Sequence, residues 1–163
     1  MTILYFDEPE DIKTLIEAGL VVEGLTGFFY LFTREPTLRN EFPYVQITKE
    51  GSTPDEFIGN EMPEGGKGNI QTCTIKIEIA TRKGYIKVFE TRKYENDKLT
   101  NLIKTIIQTI MFKNRQWMKD AQSNILITNY MANELPADAF VRINSPFFTK
   151  TIYYHVEYSY KYP

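Results

Sequence analysis

Between residues 99 and 111 the chain carries Leu99, Leu102, Ile103, Ile106, Ile107, Ile110 and Met111 at i, i+3, i+4, i+7, i+8, i+11 and i+12. That spacing places all seven on one side of an α-helix as an unbroken apolar stripe. Buried completely, they contribute roughly 1.5–3 kcal/mol each, about 10–20 kcal/mol together. Ordering the backbone of such a helix costs a similar amount, at about 1–2 kcal/mol per residue. The helix therefore cannot stand alone and must lie on another apolar surface. The nearest one in the chain is a strand. From Thr72 to Ala80, Cys73, Ile75, Ile77 and Ile79 alternate with Thr72, Thr74, Lys76 and Glu78, which defines a half-buried strand with one wet face. These two segments predict a helix packed across a β-sheet.

The remaining elements follow from periodicity and punctuation. Asp11 to Leu20 reads as a short helix behind Pro9, with Asp11 as cap, Ile12, Leu15 and Ile16 on one face, and Gly19 as its exit. Phe28 to Thr33 reads as a strand, and Phe42-Pro43 leads into a second at Tyr44 to Thr48. Lys49 to Asn69 holds Gly51, Pro54, Gly59, Pro63, Gly65, Gly66 and Gly68, and is expected to be a long flexible loop. Arg82-Lys83-Gly84 predicts a hairpin turn, with Tyr85 to Thr91 returning as partner of the alternating strand. Glu95-Asn96-Asp97 offers a cap for the long helix, and the polar run from Lys113 to Asp120 marks its end. Ser123 to Tyr130, Phe140 to Ile143 and Phe147 to Tyr160 have strand character. In the last of these, Ile152, Tyr154, Val156, Tyr158 and Tyr160 share one face, and Tyr153, His155, Glu157 and Ser159 the other. The expectation is a single α+β domain over 1–163: a mostly antiparallel sheet, one long amphipathic helix on one face, and a short N-terminal helix.

Charge and cysteine usage narrow the function classes. With 19 basic and 21 acidic residues interspersed, the net charge is −2, and no basic face calls for nucleic acid. One cysteine, Cys73, allows no internal disulfide, so the fold does not depend on an oxidising compartment. The opening Met1 to Glu8 has no basic start and turns acidic, unlike a signal peptide, and the apolar runs fall short of a membrane span. Folding in a cytoplasm is expected. The chain holds 11 Tyr and 11 Phe. These suit either surfaces covered by a partner or a β-rich core.

Each chemical motif has a plainer explanation beside it. His155 is the single histidine, set mid-strand with Glu157 on the same face, and reads as structural rather than as a metal ligand or triad member. Cys73 lies on the apolar face of a strong strand and reads as core filler. Glu64-Gly65-Gly66-Lys67-Gly68-Asn69 looks like a phosphate loop but fails: Glu61 stands where the first glycine belongs, and Gly68 where Ser or Thr should follow the lysine. The acidic runs Asp7 to Asp11 and Glu95 to Asp97 precede helices, where carboxylates are favoured by the helix dipole. Arg82, Lys83, Lys87, Arg92 and Lys93 form a basic hairpin best read as a solvated turn. No catalytic site, cofactor or metal is expected.

The order of elements runs helix, strand, the Phe42-Pro43-Tyr44-Val45-Gln46-Ile47 strand, long loop, strand hairpin, one strong helix, then further strands. It resembles the tail terminator (tail completion) proteins of long-tailed bacteriophages. The resemblance covers most of the chain and rests on element order and patterning, since that family has no diagnostic motif. It implies a virion structural protein, assembled in the host cytoplasm, with no enzyme activity and no cofactor. It would form a homo-hexameric ring that caps the tail tube protein and docks the head-tail connector proteins. It implies no membrane partner and no specific nucleic acid, with DNA passing through the ring. Subunit contacts are then expected from the glycine-rich loop, at Phe57, Glu61 and Lys67. The long last strand, at Tyr153, His155, Glu157, Tyr158 and Tyr160, would offer an edge to a neighbour. The alternatives are another ring-forming neck, tail tube or contractile-injection-system component, a small enzyme with a pocket at His155 and Glu157, and a host-side regulatory binding module.

Overall fold

The computed structural model describes residues 7–34, 42–54, 68–113, 125–134 and 147–161. In chain order its elements are α1 (Glu8–Val22), β1 (Tyr30–Phe32), β2 (Tyr44–Pro54), β3 (Gly68–Arg82), β4 (Ile86–Phe89), β5 (Arg92–Glu95), α2 (Asn96–Lys113), β6 (Ile125–Glu134) and β7 (Phe147–Lys161). The fold is α+β, as the periodicity predicts. A five-stranded sheet runs in the order β1-β2-β3-β7-β6, antiparallel throughout except for the parallel pair β1 and β2.

The register explains the core. Val45 lies opposite Ile79 and Ile47 opposite Ile77, while Cys73, Ile75 and Ile77 lie opposite Val156, Tyr154 and Ile152. Every one of these side chains is buried. They form one apolar face, on which α2 sets Leu99, Ile103, Ile106, Ile107, Ile110 and Met111, all buried, with Leu102 partly buried at the margin. Helix α1 completes the layer with Ile12, Ile16 and Leu20.

Helix α1 begins one turn earlier than expected. Its cap is Asp7, whose side chain accepts from the Glu10 N–H at 3.3 Å, and not Asp11, which lies in the first turn. Its end also differs: Gly19 is inside the helix, which runs on to Val22. A Cβ on Gly19 would sit 2.3 Å from Ile110 Cγ2, so the glycine is there to let the two helices touch. The exit is a turn later. Leu25 N–H donates to the Leu20 carbonyl and Gly24 N–H to that of Val21, with Gly24 at φ +70°. This double bond pattern closes a helix end when a glycine takes the left-handed conformation.

Three further expectations change. The strand expected over Phe28 to Thr33 is only Tyr30–Phe32, because Phe28 and Phe29 turn into the core instead. Both ends of the expected loop from Lys49 to Asn69 are strand instead, since β2 continues to Pro54 and β3 starts at Gly68, with Pro54 opposite Gln71. Polar, glycine-bearing residues hide this extension, and a bulge between Lys49 and Gly51 breaks the alternation. Tyr85 to Thr91 does not pair with β3. The turn is present, with Tyr85 N–H bonded to the Arg82 carbonyl at 3.0 Å, but both edges of β3 are taken by β2 and β7. The chain therefore folds back on itself, and β4 pairs with β5 as a separate two-stranded sheet. The strand expected at Phe140 to Ile143 lies outside the described residues.

Candidate functional site

Both helices lie on one face of the sheet, and among the described residues no element covers the other, which makes it the candidate interaction surface. Strand alternation sends every second side chain to that face. Three cross-strand rows span β2, β3 and β7: Tyr44, Ala80 and Thr149; Gln46, Glu78 and Thr151; Thr48, Lys76 and Tyr153. Apart from buried Ala80, these side chains are half-buried or exposed. Lys76 sits at the centre, with Nζ 3.9 Å from Glu78 and 4.0 Å from Glu50. Pairs this exposed add about 0–1 kcal/mol each, so they order the face more than they stabilise it.

One end of this face is aromatic. Phe42 stacks on Phe147 with centroids 5.3 Å apart and planes 18° from parallel, and it meets Tyr44 at 5.5 Å. Phe32 meets Tyr44 edge-on at 6.2 Å, and Tyr30, sharing the parity of Phe32, is 50% exposed. The sequence reading missed this group. Its members are far apart in the chain, and only the pairing of β1 with β2 and the approach of β7 bring them together. Flat, mixed arrays of hydroxyl, amide and ring groups suit contact with another protein surface.

Of the residues expected to make subunit contacts, Tyr153 lies half-buried on the uncovered face, opposite Lys76. His155 and Glu157 continue its parity along β7, at positions opposite Thr74 and Thr72, and Tyr158 and Tyr160 continue the parity of Val156. The side chains of these four lie outside the described part, as do Phe57, Glu61 and Lys67 altogether. The expected route of contact through β7 needs correction. Over Ile152 to Tyr160, the stretch that holds all five expected contact residues, the strand is bonded to β3 along one side and β6 along the other, and among the described residues it has no edge there to offer. Among the described residues the outer strands are β1 and β6.

Cys73 behaves as core filler. It is buried, and its thiol is pushed up to about 12, first by burial and then by the nearby Glu8 carboxylate, with Lys49 acting in the opposite direction. A thiol so rarely ionised is a poor nucleophile. Glu8 itself is buried and held by Lys49 Nζ at 2.9 Å. The basic hairpin is only partly a solvated turn: Arg82, Lys83, Arg92 and Lys93 are exposed, whereas Lys87 folds inward. Its Nζ donates to the Phe28 carbonyl at 2.6 Å and lies 4.7 Å from the centre of the Phe28 ring, and burial lowers its pKa. Among the described residues no three His, Cys, Asp or Glu side chains gather as a metal site, and no helix is long and apolar enough to cross a membrane. No protein-family model matches the chain, and no curated protein matches it significantly in sequence.

Proposed function

We propose that this chain is a structural virion protein of the tail-terminator type, assembling into a ring that caps a tail tube and joins it to the head connector. The observation that carries the reading is the sheet face that no element covers among the described residues. Its half-buried polar rows end in the Phe42, Tyr44 and Phe147 ring cluster, an arrangement suited to a partner surface. A closed ring needs two different surfaces on each copy that meet head to tail. The uncovered face supplies one. The outer strand β6, which pairs on one side only among the described residues, supplies the other by accepting a strand from its neighbour. The order of elements agrees with a role in assembly.

Negative-stain electron microscopy of the purified chain, alone and mixed with tail tubes, tests this. Single rings that bind tube ends support the reading. Stacked tubes from the chain alone would make it a tube subunit instead, and monomer-sized particles that leave tube ends bare would refute ring assembly.

A further inference from the structure

The β4–β5 hairpin belongs to neither layer of the fold. Among the described residues its strands form ladder pairs only with each other, in their own two-stranded sheet, and four-residue hairpins of this kind are marginal in water by themselves. Its order therefore depends on how it is docked. The docked side is aromatic: Phe89 meets Phe28 edge-on at 5.7 Å and Tyr94 at 6.4 Å, and Tyr85, Phe89 and Tyr94 are partly buried against the core. The Lys87 ammonium completes the contact on Phe28. The other side is wet, with Ile86 52% and Val88 58% exposed opposite Glu95 and Lys93.

The two ends of the hairpin meet at one place. Gly84 has φ +83° and Asn96 φ +53°, and the Gly84 N–H donates to Asn96 Oδ1 at 3.0 Å. Both residue types tolerate the left-handed conformation, so both junctions can absorb a change in backbone angle. Nothing in the five-stranded sheet's hydrogen bonding passes through the hairpin. Helix α2 touches both hairpin strands, but it also packs directly on β3 and β7 of the sheet.

We infer that β4–β5 is a hinged arm, which opens as a unit about Gly84 and Asn96 while the helix-covered sheet stays folded. Opening exposes Phe28 and Phe89 and returns the Lys87 ammonium to water. The depressed pKa of Lys87 agrees with this, since its docked charge gives up hydration that the open arm recovers. Local units of this kind open at a lower free energy than the whole molecule.

Hydrogen exchange followed by mass spectrometry on the full chain, with urea varied below the unfolding transition, reads this directly. Amides of 86–95 are expected to exchange at least about tenfold faster, after correction for intrinsic rates, than those of 75–79 and 152–156, with a weaker urea dependence. Phe89→Ala should speed the hairpin by a further tenfold or so and leave the β3 and β7 amides unchanged. Equal rates and equal urea dependence for hairpin and sheet in the unmodified chain would overturn the inference. So would a Phe89→Ala effect spread evenly over both.

Discussion

Substituting Gly19 by alanine should destabilise this protein, although the same change in most exposed helices stabilises it. Alanine is favoured over glycine in a helix interior by about 0.5–1 kcal/mol. Here the added Cβ would lie 2.3 Å from Ile110 Cγ2 and 3.0 Å from its Cγ1, whereas carbon atoms in contact prefer about 3.5–4.0 Å. Ile110 is 1% exposed and β-branched within a helix, so its side chain cannot rotate out of the way. Overpacking of this kind costs about 1–3 kcal/mol, and the net expectation is a loss of about 1–2 kcal/mol. Ile110→Ala alone should cost about 2–5 kcal/mol, because it empties the contact. In that background Gly19→Ala becomes neutral or stabilising, since the new methyl enters the space vacated. Urea unfolding of the four proteins, followed by circular dichroism, gives the coupling. Stabilisation by Gly19→Ala in the unmodified chain, or an equal cost in both backgrounds, would refute the helix crossing.

Thr81 is fully buried, and its Oγ1 has no hydrogen-bond partner among the described residues, so Thr81→Val should raise stability by about 1 kcal/mol in urea unfolding; a loss of that size would reveal a partner. Cys73 has its folded pKa raised from 9.0 to about 12, so its contribution is complete below pH 9 and is lost as the pH rises toward 12. The full effect is about 4 kcal/mol at 1.36 kcal/mol per unit, and Cys73→Ala should remove this alkaline decline, seen as a flatter unfolding midpoint against pH. Lys49→Met leaves the buried Glu8 carboxylate without its 2.9 Å partner and should cost about 1.5–3 kcal/mol, with Glu8→Gln added to it recovering part of the loss.

The layer of the fold that rests on periodicity was legible. Leu99 to Met111 and Cys73 to Ile79 each repeat with the period of their element, and each buries the face it presents. What depended on long-range pairing was not. Tyr85 to Thr91 has the composition of a return strand, and nothing local reveals that β2 and β7 already occupy both sides of β3. Gly19 looks like a helix stop because its reason for being glycine is Ile110, about ninety residues away in the chain. Lys87 looks like one more basic residue in a turn until the Phe28 carbonyl is placed beside it. The aromatic cluster of the uncovered face was hidden for the same reason, because Phe42 and Phe147 meet only once their strands are arranged across the sheet.

The mass of the purified protein in its native state, measured across a concentration series, tests the assembly account most directly. Closed six-membered rings of a 19.1 kDa chain weigh about 115 kDa, and the account predicts that species, with the β6 amides that face away from β7 protected from hydrogen exchange only within it. A single 19.1 kDa species at every concentration, unchanged when tail tubes are added, would contradict it.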